Sequence, residues 1–495
     1  MLHTITSTLP PIHGGRTKSL LYRIKFLEEK LNESTIIHTT NYNPDYLNVY
    51  EDFKKRNIIS NNLIIRNLYE WLSGNNLLER YNKTSLFSKS PKQTSIEISG
   101  LESKIDNNIV RYYKGNEYVL YRQFYEGSKV LMFEDFMSPI SKKKLERREY
   151  TRNGVLHRIT NYSSYNYSKL YEEYYNKKGE LYLKKHFSDI NKNKLLYIIL
   201  YENHVPIKFF KTEKEMFTFY FNNVLEENSI VFNDARLLDK PLIDCNKKLK
   251  RVLVFHSTHF VENGTRNSYK LALNNSDKIS KYIVLTDYQK NDIQSEFDIN
   301  DDKIKVIPHF VEILNTEKSF EKSNQFCYVG RISKEKQIDH IIKAFKIYIE
   351  KGNNSKLLIY GKDEDGELNR LSELVKELDL TNYIEFKGYT SNPAQVFEKS
   401  IASILTSKFE GFGLTVMESI NNGCPVLSYN IRYGSSELID NYKNGILVEQ
   451  DNINDMAKAM ENARYKPMKD VKLSGRFSLD SAIRNYKELV DELNY

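Results

Sequence analysis

Apolar positions along the chain follow helical and strand periods in turn, and the order in which they alternate defines its organisation. An extended run from Leu2 to Thr6 leads into the turn-forming segment STLPPIHGG. From Thr17, Leu20, Leu21, Ile24, Leu27 and Leu31 recur at helical spacing. This predicts a strand, a glycine loop and a helix, followed by a second strand at Thr35 to Thr40. After about residue 84 the period shortens to two. The segments YYKGNEYVLYRQF, REYTRNGVLHRITNY, YEEYYNKKGELYLKKHF and LYIILYENHVPIKFF read as hairpins, with turns at Lys114-Gly115, Asn153-Gly154 and Lys178-Gly179. The loose recurrence of aromatic, turn, Gly and Leu predicts an antiparallel β-meander.

Alternation of strand and helix then resumes, with strands at Ser229 to Asn233, Arg251 to Phe255, Lys281 to Thr286 and Lys305 to Ile307. A further unit follows Pro308, with strands at Phe326 to Val329, Lys356 to Tyr360, Ile384 to Phe386, Ile401 to Leu405 and Pro425 to Ser428. Helical patterns at Gln337 to Lys351 and Glu367 to Leu378 lie between them. Strands separated by helices argue for parallel sheets with right-handed crossovers. The expected division is an α/β domain over 1–84 and 205–310, a meander inserted at 85–204, a second α/β domain over 311–477, and a closing helix over 478–495 that packs back across both halves.

Composition narrows the function classes. With 40% hydrophobic and 13% aromatic residues against only 20 Gly and 11 Pro, the chain has ample surface to bury, and global disorder is excluded. Cys245, Cys327 and Cys424 are far apart with no C-x-x-C spacing, so neither a disulfide framework nor a cysteine zinc site is expected. The N-terminus lacks a basic segment leading into an apolar one, and the apolar runs are short, the stretch from Leu195 to Tyr201 among the longest. The expectation is a cytoplasmic protein, at most peripheral at a membrane surface. Of the net charge of +8, residues 85–204 supply +7, from 21 Lys/Arg against 14 Asp/Glu. The same segment holds 15 of the 36 tyrosines, which makes it a candidate surface for an extended acidic partner or for oligomerisation. It contains no nucleic-acid-binding module.

Candidate chemistry clusters just after strands. Gly330-Arg331-Ile332-Ser333-Lys334-Glu335-Lys336 places two cations where an open α/β sheet borders its ligand crevice, suited to a diphosphate. Glu410-Gly411-Phe412-Gly413-Leu414-Thr415-Val416-Met417-Glu418 brings glycines to a helix start, where backbone amides approach phosphate or sugar oxygens. His13-Gly14-Gly15-Arg16 sits between the first strand and first helix. Taken singly, each also suits a solvated loop, a capped helix or an ordinary turn. Asp363-Glu364-Asp365 spells D-x-D, but it precedes a helix and reads as acidic N-terminal capping, so no metal is expected.

Together, Gly14-Gly15, Arg331 with Lys336, and Glu410 with Glu418 at E-x7-E spacing resemble the retaining glycosyltransferases of family 4. STLPPIHGGRTKSLLYR, VFNDARLLDK, LVFHSTHF and YIVLTDYQKNDI are similar to the bacterial poly(glycerol-phosphate) α-glucosyltransferases and to the transferases that glycosylate serine-rich or Ser-Asp-repeat surface proteins. The resemblance implies an α/β protein of GT-B fold, two Rossmann-like domains facing a cleft, with the β-meander inserted in the N-terminal half. It implies a UDP-sugar donor, glucose or N-acetylglucosamine, and no cofactor. Arg331 and Lys336 would bind the diphosphate, Glu418 the ribose, and Glu410 the sugar. Gly14, Gly15, Tyr389, Gly411, Phe412, Gly413 and Leu414 would complete the donor site. His256 matches the position that faces the sugar, with His259 as the alternative. The acceptor would be an acidic polymer or Ser-rich protein, held by Arg16, Lys142, Lys143, Lys144, Arg147 and Arg148, with Lys177, Lys178, Lys184 and Lys185 adding charge. A non-catalytic acceptor-binding subunit is the alternative from another class.

Overall fold

The computed structural model describes residues 2–11, 15–78, 90–261, 264–314 and 322–494. It divides into two compact units, Met1–Arg251 and Val252–Tyr495. The N-terminal unit opens with β1 (Leu2–Thr6), α1 (Gly15–Leu31), β2 (Thr35–Thr39), α2 (Tyr46–Lys55), β3 (Ile64–Asn67) and α3 (Leu68–Leu72). Ten strands follow, β4 (Glu102–Asp106) to β13 (Val205–Phe210), then α4 (Glu213–Val224) and β14 (Ile230–Asn233). The parallel strands stand in the order β14-β1-β2-β3.

Strand β1 is buried along its whole length, as a parallel strand covered on both faces should be. It nevertheless carries His3. One ring nitrogen joins a buried relay, His3 Nδ1 to His38 Nε2 at 3.0 Å and His38 Nδ1 to the Tyr220 hydroxyl at 2.9 Å, while His3 Nε2 is buried without a partner. Arg23 on α1 is also buried, and it meets the Asp234 carboxylate after β14 through two bonds of 3.0 and 2.6 Å. Removing either partner would strand a buried charge at a cost of about 3–5 kcal/mol.

Strands β4 to β13 pair antiparallel in sequence order. The expected glycine turns are present: Gly115, Gly154 and Gly179 all have positive φ, and a Cβ on Gly154 would lie 2.4 Å from the Lys92 carbonyl oxygen. Several cations of this sheet are bound within it. Arg147 grips Asp135 across adjacent strands at 2.6 and 2.7 Å, Arg158 grips Glu149 at 2.5 and 2.7 Å, and Lys184 reaches Glu173 at 2.8 Å.

The C-terminal unit contains a six-stranded parallel sheet. Its order is Ile384–Gly388, Lys356–Tyr360, Gln325–Val329, Ala402–Leu405, Val426–Tyr429 and Gly445–Val448. Chain order reverses between Gln325–Val329 and Ala402–Leu405, which defines a topological switch point. Helices Ile338–Glu350 and Ile453–Tyr465 seal one face with Ile341, Ile342, Phe345, Met456 and Met460. Strands Lys250–Val254, Lys281–Val284 and Ile304–Val306 also pair in parallel, and Glu492 of the last helix, Leu479–Asn494, bonds both Lys281 and Lys305. All three cysteines are buried and unpaired by disulfide. Among the described residues, no helix is long and apolar enough to cross a membrane.

Candidate active site

Two loops meet at the switch point, one from each strand that flanks it. The first leaves Gln325–Val329 through Gly330, whose missing side chain matters: a Cβ there would stand 2.7 Å from the Tyr328 hydroxyl. That hydroxyl donates to the Arg331 carbonyl at 2.7 Å and fixes the turn. The loop then forms a single 3-10 turn, Lys334–Lys336, ahead of helix Ile338–Glu350. The second loop leaves Ala402–Leu405, runs through Ser407 and Glu410, and ends in helix Leu414–Asn421. Thr406 ties the loops together by donating to the carbonyls of Lys336 and Gln337 at 3.1 and 2.9 Å.

Lys336 and Glu410 are thereby joined. The ammonium lies 2.6 Å from Glu410 Oε1, both side chains are largely buried, and the Ser407 hydroxyl donates to the same carboxylate oxygen at 2.7 Å. Arg331 stands differently. Its side chain is 55% exposed and pairs with Glu364 at 2.8 Å and Glu335 at 3.1 Å, and the Glu364 bond raises its pKa further. Both cations sit at the strand ends, one held in place and one open to solvent. Two such cations can neutralise a diphosphate that displaces their carboxylate partners.

The glycine motif serves close packing as well as helix entry. A Cβ on Gly411 would lie 2.3 Å from the His256 carbonyl oxygen, so the loop bearing His256 passes directly against this segment. Gly413 has φ +89° and starts helix Leu414–Asn421, with Leu414 in its first turn and half-buried Glu418 in its second. Phe412 is buried edge-on to His309 at 5.1 Å, and His309 stacks in turn on His256 at 5.7 Å. His309 was not among the sequence candidates. It follows Pro308 at a strand end without any motif spacing, and only the ring stack brings it to the site.

His259 is placed elsewhere, fully buried against Phe260 and parallel to the Tyr433 ring, and burial pushes its pKa down to about 4. It is a neutral core histidine. Tyr389 follows edge strand Ile384–Gly388 and is 74% exposed. Gly15 is the first residue of α1 and Arg16 beside it is exposed, whereas Gly14 lies outside the described residues. In the D-x-D segment Asp363 accepts from the amides of Glu367 and Leu368 at 3.0 and 3.3 Å, capping the next helix, while Asp365 accepts from the Lys334 amide.

Among the acceptor candidates, Lys142 and Lys143 are exposed and Lys144 is half-buried. Arg147 is committed to Asp135 and Arg148 to Glu146 at 2.7 Å. Lys185 does not belong to a binding face. It is buried, with its ammonium on the Tyr69 hydroxyl at 2.9 Å and Glu213 at 2.5 Å, because its strand face packs onto the neighbouring α/β layer. Lys177 likewise bonds the Leu78 carbonyl at 3.1 Å.

Comparison with known proteins fits this geometry. Residues 311–474 match the family Glycosyl transferases group 1. The chain is 26% identical to a poly(glycerol-phosphate) alpha-glucosyltransferase of Bacillus subtilis (strain 168), over 96% of this chain and 71% of that one. It is 28% identical to a poly(ribitol-phosphate) alpha-N-acetylglucosaminyltransferase of Staphylococcus aureus (strain COL), over 90% and 88%. The crystal structure of TarM from S. aureus superposes with a TM-score of 0.81 at 24% identity, covering 99% of this chain and 98% of that one. The pneumococcal O-GlcNAc transferase GtfA, solved with UDP and GlcNAc, superposes with a TM-score of 0.68 at 19% identity, covering 100% and 99%. The chain therefore has the GT-B fold, and its residues 311–474 match the group 1 glycosyltransferase family.

Proposed function

We propose that the protein is a retaining glycosyltransferase of family 4 that moves glucose or N-acetylglucosamine from a UDP-sugar to hydroxyls of poly(glycerol phosphate) or a similar acidic cell-surface polymer. The observation that carries this reading is the Lys336–Glu410 pair at the switch point, with Arg331 beside it. Arg331 and Lys336 neutralise the diphosphate and stabilise the charge that grows on it as the glycosidic bond breaks. Amides around Phe412, Gly413 and Leu414 hold phosphate or sugar oxygens. Glu418 takes the ribose hydroxyls, Glu410 positions the sugar, and His256 faces it.

In this scheme the acceptor hydroxyl approaches the anomeric carbon from the face that UDP leaves. The carbon–phosphate oxygen bond breaks, the carbon–acceptor oxygen bond forms, and the departing phosphate takes the hydroxyl proton. No metal enters the scheme, and the engagement of Asp363 in helix capping supports that. The polymer acceptor is favoured because relatives named for polyol-phosphate polymers align over 96% and 90% of this chain, whereas peptide N-acetylglucosaminyltransferase GtfA subunits of Streptococcus gordonii and Streptococcus parasanguinis align over 61% and 73%.

The test is UDP release from UDP-glucose and UDP-N-acetylglucosamine, in EDTA, with poly(glycerol phosphate) or a Ser-Asp-repeat peptide. Release that depends on the polymer, with an α-linked product by NMR, is the expected result. Release only with the peptide would move the acceptor assignment, and no release with either acceptor would overturn the enzymatic reading.

A further inference from the structure

The N-terminal unit holds a cavity that the reaction above leaves unused. It is an open cleft of about 710 Å3 between β3, α3 and the C-terminal half of α4, within the size range of small-molecule sites. One wall is aromatic. Trp71, the single tryptophan of the chain, packs against Phe219 at 5.6 Å and Tyr220 at 5.5 Å. Tyr220 is itself held by the buried relay to His38 and His3, so this wall is formed before any ligand arrives.

Glu70 accepts from the Leu77 and Leu78 amides and Glu227 from the Lys248 amide, but other polar groups that line the cavity are uncommitted. Among the described residues, the Trp71 indole N–H and the exposed Arg66 guanidinium, Glu226 carboxylate and Asn75 side-chain amide have no hydrogen-bond or ion-pair partner. Two cations, Arg66 and Lys247, stand against the carboxylates of Glu70, Glu226 and Glu227. A phosphate or polyanion gains no net attraction from that balance, and an apolar ligand would leave the polar groups unpaired. A pyranose satisfies both requirements. Its C–H face lies on an aromatic ring, and each hydroxyl both donates and accepts, which suits a wall mixing carboxylate, amide and cation.

We propose that this cavity is a second carbohydrate site, separate from the donor loops, that takes a neutral pyranose unit. A free glycoside and the sugar already carried by a glycosylated acceptor present the same chemistry, and titration of the full chain distinguishes them.

The probe is Trp71 fluorescence, read during addition of methyl α-glucopyranoside, methyl α-N-acetylglucosaminide, bare poly(glycerol phosphate), glucosylated poly(glycerol phosphate) and inorganic phosphate. A saturable change with at least one glycoside and none with phosphate is the expected result. Glucosylated polymer binding about tenfold tighter than bare polymer would assign the site to attached sugars, and a response to the free glycosides with none to either polymer would assign it to free ones. Arg66→Ala with Glu226→Gln should weaken the response at least tenfold while turnover of a short acceptor holds. Asn75→Gly removes an amide yet keeps the left-handed backbone (φ +60°), so it should weaken binding without loss of fold. No saturable response to any glycoside at about 100 mM, an equal response to phosphate, or a response unchanged in all these variants would overturn the proposal.

Discussion

Lys336 and Arg147 are both basic, both bound to a carboxylate at 2.6 Å, and differ in what surrounds them. Lys336 stands where parallel strands reverse their order, between two loops whose glycines bring backbone close together. Arg147 lies mid-strand in an antiparallel sheet, with Asp135 directly opposite it in register. Strand ends in the first sheet gather side chains toward one spot, whereas strand faces in the second spread them into pairs that satisfy one another. Charge at a switch point can be taken up by a ligand, and charge in a cross-strand pair mostly stabilises the sheet.

The sharpest way to break that comparison is Lys336→Ala. If the ammonium stabilises a leaving diphosphate, kcat/KM for the UDP-sugar should fall by about 10²–10³, and the melting temperature should drop as well because Glu410 loses its partner in a largely buried pair. Turnover near wild type would remove Lys336 from the reaction. Arg147→Ala should leave donor kinetics intact and cost about 1 kcal/mol of stability, since the pair is only partly buried.

A second test asks whether the two units share a weakness to acid. Each contains a buried neutral imidazole whose pKa burial lowers from 6.5 to about 4, His3 in the N-terminal unit and His259 in the C-terminal unit. Between those values the unfolded chain binds a proton at each site and the folded chain does not. Stability should therefore be fully present above about pH 6.5 and fall as pH drops toward 4, by on the order of 3 kcal/mol per site. Thermal melts across that range check the slope. His259→Phe should flatten it, because neither ring nitrogen has a hydrogen bond to lose and the stack on Tyr433 is kept.

Gly411 provides a smaller effect and shows where sequence reading ends. Five strands of the C-terminal sheet lie within one or two residues of their expected limits, because buried apolar runs mark them directly, whereas the sixth, Gly445–Val448, has no counterpart among the expected strands. The glycine turns of the antiparallel sheet were equally legible. The packing of Gly411 on the His256 carbonyl was not, since it joins segments far apart in sequence. The same holds for the His256–His309–Phe412 ring contacts, which no local spacing announces. Gly411→Ala should force the two loops apart by part of an ångström and lower kcat/KM about tenfold, with KM for the UDP-sugar rising. Unchanged kinetics would mean that the loops do not need their present spacing.

Register explains why charge counting overstated the basic face. Asp135 and Arg147 are separated in sequence by a turn, and nothing in composition says that they will stand opposite each other or that Lys185 will turn inward. What remains of those candidates for a polyanion is modest: Lys142, Lys143 and Lys178, exposed and without ion pairs among the described residues, with Lys143 over the Tyr167 ring at 5.8 Å. Lys142→Ala with Lys143→Ala should raise the apparent KM for long poly(glycerol phosphate) only about two- to threefold at low ionic strength, and the difference should fade near 0.15 M salt, where exposed charges are screened beyond about 8 Å. Asp135→Asn supplies the contrast. By releasing Arg147 from its partner it should lower that KM, turning a stabilising pair into a binding charge at the expense of the sheet. If polymer kinetics follow neither change, the antiparallel sheet does not contact the acceptor, and the division between charge held for a ligand and charge held for the fold coincides with the division between the two sheets.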